Sequence, residues 1–176
     1  MRVIAGRFRR RLLKSLPGEA TRPMLDRMRE TLFNILQPEI EGVVFADLYA
    51  GTGAVGIEAL SRGAREALLV ESSPEAVRVI EENLRTLGAQ REARIYPLPV
   101  VEALERFEAD VYFLGPPYAA AEEYERTLSI LGKRGSELVI AQHAAGRELP
   151  ERYDRIERSR VKRIGASAFT FYRRYY

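Results

Sequence analysis

One stretch, VVFADLYAGTGAVG from Val43 to Gly56, constrains this chain more than any other. Residues 43 to 46 are apolar and read as a buried strand. Asp47 stands at its end, and Gly51-Thr52-Gly53 makes a tight turn beyond it. From Ala54 to Leu60 the side chains are small or apolar, as suits a helix lying close against a sheet. Strand, carboxylate, glycine turn and helix, in that order, form the nucleotide-binding corner of a doubly wound α/β sheet.

Gly51, Gly53 and Gly56 also satisfy the G-x-G-x-x-G spacing of dinucleotide enzymes, and Glu71 lies near the ribose-reading offset. Asp47 argues against a pyrophosphate. Two like charges about 5 Å apart, at an effective dielectric of about 20, repel by roughly 3 kcal/mol. A ligand carrying a sulfonium and an ammonium but no phosphate is attracted instead. S-adenosylmethionine is therefore the expected cofactor, ahead of a dinucleotide or a purely structural turn. Asp47, Tyr49, Ala50, Gly51, Thr52 and Gly53 are its expected contacts at this corner.

The rest of the chain narrows the chemistry. Its 176 residues predict one domain with a small appendage, divided as a basic arm over 1–21 and a catalytic core over 22–176. There is no cysteine, which excludes disulfides and thiol catalysis, and the single histidine, His143, makes a histidine metal site unexpected. With no apolar run of membrane-span length, a cytoplasmic, metal-free monomer is expected. Net charge is +3, but it is segregated. Residues 1–37 carry nine basic and three acidic side chains and residues 147–176 nine and four, leaving −8 for the middle. Basic ends on an acidic body suit a polyanionic partner, or are solvated edges.

In order along the chain, Arg2–Lys14 reads as a hairpin or irregular arm. Arg7, Arg9, Arg10 and Arg11 interleaved with Phe8 suit phosphate contacts with base stacking; the alternative is a charged edge ribbon. Leu25, Met28, Leu32, Ile35 and Leu36 then recur at helical spacing. A second strand ends at Glu71, followed by Ser72; an acceptor-only carboxylate there can take two ribose hydroxyls. After a third strand, Pro99 and Val100 are placed to sandwich an adenine. A fourth strand runs into Gly115-Pro116-Pro117-Tyr118, where the Pro116 carbonyl can accept from an exocyclic amine and Tyr118 can stack on a flipped base. A fifth strand ends near Gln142 and His143, and His143 reads as a satisfied or solvated residue rather than a base. Residues 155–175 alternate around Gly165-Ala166 as a closing antiparallel hairpin.

These residues resemble the RsmD family, bacterial methyltransferases acting on a guanine exocyclic amine of small-subunit (16S) ribosomal RNA. RPMLDRMRETLFN (22–34) is the most specific segment, and RVIAGRFRRR, DLYAGTGAVGIEALSRGA and PPY follow the family's order. The resemblance implies an α/β, Rossmann-like, seven-stranded and mostly parallel sheet of class I methyltransferase type, with a C-terminal hairpin as strands six and seven. It also implies an N-terminal arm that engages RNA. By position, Asp47 and Gly51–Gly53 hold the methionine part, Glu71 the ribose, Arg22-Pro23 lie near the amino-acid end, and Pro116–Tyr118 embrace the guanine. Two positions depart from the pattern. Gly115 stands where the family has Asp or Asn as a side-chain acceptor for the amine, and Pro99 where an Asp or Asn approaches the adenine. DNA adenine-N6 methylation and a catalytically silent RNA-binding role are the other readings.

Overall fold

Five short strands run parallel through the centre: β1 (Val44–Leu48), β2 (Glu66–Val70), β3 (Ala93–Tyr96), β4 (Val111–Leu114) and β5 (Leu138–Ala144). They belong to a computed structural model that describes residues 1–17 and 23–175. Beyond β5 come β6 (Arg152–Tyr153), β7 (Ile156–Ile164) and β8 (Ser167–Arg174), all antiparallel to their neighbours, and the sheet order is β3-β2-β1-β4-β5-β8-β7-β6. The hairpin inserts its second strand beside β5, as the expected architecture requires. A two-residue edge strand, β6, extends the expected seven strands to eight.

Side-chain alternation along the strands sorts the core into two faces. Ala46, Leu48, Leu68, Val70, Tyr112, Leu114, Val139 and Ala141 face one way, against α4 (Val100–Ala103) and α5 (Ala121–Arg134). Phe45, Val111, Phe113, Leu138 and Ile140 face the other, against α1 (Pro23–Leu36). Ala67 and Leu69 continue that face beneath α2 (Ala54–Ser61) and α3 (Pro74–Leu87). Strands buried on both sides read as continuous apolar runs, which is why β1 and β4 stand out in the sequence.

Local chemistry sets the helix ends. The Ser73 hydroxyl accepts from Ala76 N at 3.4 Å, Pro74 opens α3, and Gly88 closes it in the left-handed conformation. In α2, Gly56 is demanded by packing: a Cβ there would lie 2.3 Å from Leu69 Cδ2 and 3.3 Å from the Asp47 carboxylate.

The N-terminal arm holds one isolated antiparallel bridge, Arg2 to Leu12, rather than a full hairpin ladder. Val3, Phe8 and Leu13 are buried with Ile57, Leu60, Ile80 and Leu84 of α2 and α3. Buried polar groups fix it further. Glu58, fully buried on α2, accepts from Ile4 N at 3.0 Å and Ala5 N at 3.1 Å, and Arg62 Nε donates to it at 2.9 Å. Arg29 of α1 sits 3.4 Å from the same carboxylate and donates to the Arg2 carbonyl at 2.6 Å.

Candidate active site

Strand order reverses between β1 and β4, and the carboxyl ends of β1, β2, β4 and β5 open onto one crevice. The turn after β1 is its floor. Tyr49 sits at φ 65°, a left-handed conformation uncommon outside glycine, and Gly51 and Gly53 follow at φ 59° and 83°. Three interactions hold the turn: Ala50 N donates to Val70 O at 2.8 Å, Gly53 N to Ala50 O at 2.8 Å, and Asn83 Nδ2 to Thr52 O at 3.1 Å. The Tyr49 hydroxyl bonds Glu123 at 2.7 Å and Thr127 at 2.9 Å, so the strained residue is anchored to α5. A Cβ on Gly51 would meet no atom within 4 Å, so its backbone lies open to a ligand.

Glu71 is the carboxylate that faces this space. Its Oε1 accepts from Gly51 N at 2.7 Å and its Oε2 from Ser73 N at 2.9 Å. A carboxylate offers about four acceptor directions, so two remain for hydroxyls. Tyr49, Glu71, Ser72, Leu98, Pro99, Val100 and Glu123 enclose a cavity of about 110 Å³. Its lining holds two acids and no base. A second cavity, about 160 Å³ and mostly apolar, adjoins the same turn at Ala50, Gly51 and Thr52 and extends to Met28, Phe113, Gln142 and Phe169.

Asp47 plays a different part from the one its position suggested. It shares the α2 face of β1 and is 1% exposed, and its Oδ2 accepts from Gly56 N at 2.9 Å. It clamps the start of α2 from beneath. The carboxylates that line the cavity are Glu71 and Glu123. Burial pushes the Asp47 carboxyl from 3.8 up to about 8, opposed by the Gly56 hydrogen bond and reinforced by the Glu71 charge.

Because that proton is held more tightly in the folded state than in the unfolded one, the folded chain carries the excess proton between about pH 4 and pH 8. Stability therefore declines as pH rises through this window, with a slope approaching roughly 1.4 kcal/mol per pH unit. Asp47→Asn keeps an acceptor for Gly56 and removes the charge. Thermal melts from pH 5 to 8.5 are expected to show the wild type losing stability more steeply than the variant; parallel curves would contradict this placement.

The segment after β4 forms one wall. Pro116 is buried, Pro117 exposed and Tyr118 half-buried. The Tyr118 hydroxyl donates to Ser167 Oγ at 2.8 Å and accepts from Gln142 Nε2 at 3.0 Å, and Arg147 donates to the Tyr118 carbonyl at 2.8 Å. Tyr118 is thus tied to β5 and β8 beside the crevice. His143 lies within β5, buried and satisfied. Its Nδ1 donates to Ala144 O at 2.8 Å, so its Nε2 accepts from Thr170 Oγ1 at 2.7 Å. Burial, with Arg147 and Arg163 nearby, lowers its pKa.

Arg22 lies outside the described residues. The arm's arginines are described, and they sit away from the crevice. Arg7 N bonds Ser61 O, at the far end of α2. Eight residues of helix place that point about 12 Å from the glycine turn. Arg7 pairs with Glu92 and Arg11 donates to the Thr86 carbonyl, and all four of Arg7, Arg9, Arg10 and Arg11 are exposed to solvent. The sequence alone assigns no site role to Arg29, Glu58, Glu123 or Gln142; only Glu58, an acid within an apolar helix, carries a visible signal.

The chain matches the family model described as conserved hypothetical protein 95 over residues 1–173. The ribosomal RNA small subunit methyltransferase D of Escherichia coli K12 is 32% identical over 99% of this chain and 90% of its own. The solved Escherichia coli protein yhhF superposes with a TM-score of 0.87, at 32% identity over 99% of this chain and 98% of that one. An RNA methyltransferase from Salinibacter ruber, solved in complex with S-adenosyl-L-homocysteine, shares the fold at a TM-score of 0.63 and 20% identity, over 89% of this chain and 93% of its own.

Proposed function

Given that this chain belongs to the conserved hypothetical protein 95 family and is RsmD-like, we propose that it is an S-adenosylmethionine-dependent methyltransferase acting on the exocyclic N2 amine of a guanine in small-subunit ribosomal RNA. The observation that carries the reading is the arrangement of Glu71 and the Gly51 turn around an acid-lined cavity. The residues present suit the donor. The remaining acceptor directions of Glu71 match two ribose hydroxyls, Pro99 and Val100 offer apolar atoms to the adenine, and open space above Gly51 admits close approach of the methionine part. A pyrophosphate finds no cation in that cavity. When bound, the donor supplies an electrophilic methyl on a sulfonium.

This chain's own residues do the rest. The carbonyl of Pro116 takes part in no hydrogen bond among the described residues and can accept from the target amine. Tyr118 offers a ring face for the base, held in place by Ser167 and Gln142. Removing water from the amine and aiming its lone pair is a positioning task, which rigid strand ends suit. The exposed arginines of the arm, Arg7, Arg9, Arg10 and Arg11, are the cations offered to the RNA backbone.

The test is methyl incorporation by the purified chain from labelled donor into small-subunit rRNA, into assembled small subunits and into duplex DNA, followed by nucleoside mass spectrometry. N2-methylguanosine in the ribosomal substrates alone is expected. Methyladenine in DNA, or no product from any substrate, would contradict the proposal.

A further inference from the structure

Gly115 leaves the crevice without a side chain where an amine acceptor is needed, and a larger residue there requires its neighbour to give by a few tenths of an ångström. A Cβ on Gly115 would press to 3.2 Å from Phe113 Cε2, a buried ring. The same hypothetical Cβ lies 3.6 Å from Gln142 Oε1. A side-chain oxygen grown from position 115 reaches about 2.4 Å beyond its Cβ, from the bond lengths of a carboxylate or amide. A side chain at 115 directed at Gln142 would bring that oxygen to about 1.2 Å (3.6 − 2.4) from Oε1, so the two compete for the same space.

The direction of the Gln142 amide follows from its partners. Tyr118 has one hydroxyl proton, and it goes to Ser167 Oγ at 2.8 Å. The hydroxyl can then only accept from Gln142, so the amide presents Nε2 to Tyr118 at 3.0 Å and Oε1 to the Gly115 side. No hydrogen bond engages Oε1 among the described residues. Gln142 lines the 160 Å³ cavity together with Gly51, Thr52 and Phe113, so the free oxygen borders the space beside the glycine turn.

We propose that Gln142 Oε1, delivered from β5, is the side-chain acceptor that orients the target amine in this chain, with the Pro116 carbonyl as its companion. The proposal rests on the methyltransferase reading above. Two acceptors on one amine draw its two N–H bonds out of the base plane and release the nitrogen lone pair toward the methyl carbon. The N2–C bond forms as the S–C bond breaks, sulfur keeps the bonding pair as a neutral thioether, and the surplus N2 proton passes to water. Gln142 is neutral before and after. Its contribution is the acceptor, and the same amide couples that acceptor to Tyr118, the stacking surface.

Single-turnover methyl transfer at saturating donor and rRNA tests this, alongside calorimetric binding of S-adenosylhomocysteine. Gln142→Leu is expected to slow the chemical step about 10²–10³-fold while affinity for the thioether product changes less than fivefold. Gln142→Glu keeps an acceptor oxygen and is expected to lose at least tenfold less than Gln142→Leu. If the leucine variant does not bind the product and so has lost its fold, Gln142→Met gives the same readout with a longer unbranched chain. A leucine or methionine variant within threefold of wild type, or equal losses in the leucine and glutamate variants, overturns the assignment and leaves the methyltransferase reading standing. A wild-type chain without turnover overturns both.

Discussion

Glu58→Ala is expected to lower the unfolding free energy by roughly 3–5 kcal/mol and to free the N-terminal arm. Glu58 is fully buried, and four groups converge on it: the N–H groups of Ile4 and Ala5, and the guanidinium groups of Arg29 and Arg62. Both arginine side chains are about 5% exposed or less. Alanine at 58 leaves two buried cations without their shared carboxylate and two amides without an acceptor, each amide costing about 1–3 kcal/mol unless water enters. Glu58→Gln, which keeps an acceptor but loses the charge, should fall between. Urea unfolding measures the cost, and hydrogen exchange at residues 3 to 5 reports arm release. A loss under 1 kcal/mol with the arm still protected would mean that Val3, Phe8 and Leu13 alone hold it.

The second large effect is expected at Glu71. In the proposed placement of the donor, truncation to alanine removes two charge-assisted hydrogen bonds to its ribose, each worth about 1.5–3 kcal/mol. Affinity for S-adenosylhomocysteine should fall at least about 10²-fold, since 1.4 kcal/mol is tenfold. It also unties Gly51 N and Ser73 N, so the turn loses part of its pre-organisation. Glu71→Gln is expected to do nearly as badly. An amide gives up one acceptor oxygen for a donor, which then meets either the Gly51 or the Ser73 N–H head-on. Calorimetry on the three proteins checks both statements, and an alanine variant within fivefold of wild type would remove Glu71 from the site.

How much of this could be read from residue order depends on the range of the interaction. The β1–turn–α2 corner, the acid ending β2 and the terminal hairpin are local patterns, and the structure places them where periodicity and glycine spacing put them. The family resemblance, carried by the 22–34 segment and the glycine corner, agrees with the family model and the relatives. What was not legible needed contacts across the fold. Asp47 reads as a ligand-facing acid because it ends a strand; only the register with α2 shows Gly56 N above it and solvent excluded. The contacts of Arg7 with Glu92 and of Arg11 with the Thr86 carbonyl span more than seventy positions and leave no local pattern. The two-residue β6 is too short to carry an alternation pattern. Gln142 marks a strand end in the sequence and nothing more, and its relation to Gly115 exists only because β4 and β5 are neighbours.

A crystal structure of the chain with S-adenosylhomocysteine tests the central claim most directly. The ribose hydroxyls are expected on Glu71, the adenine between Pro99–Val100 and the far wall of the cavity, and the sulfur pointing toward Gly115 and Gln142. A nucleoside lodged elsewhere, with Glu71 still committed only to Gly51 and Ser73, would contradict it.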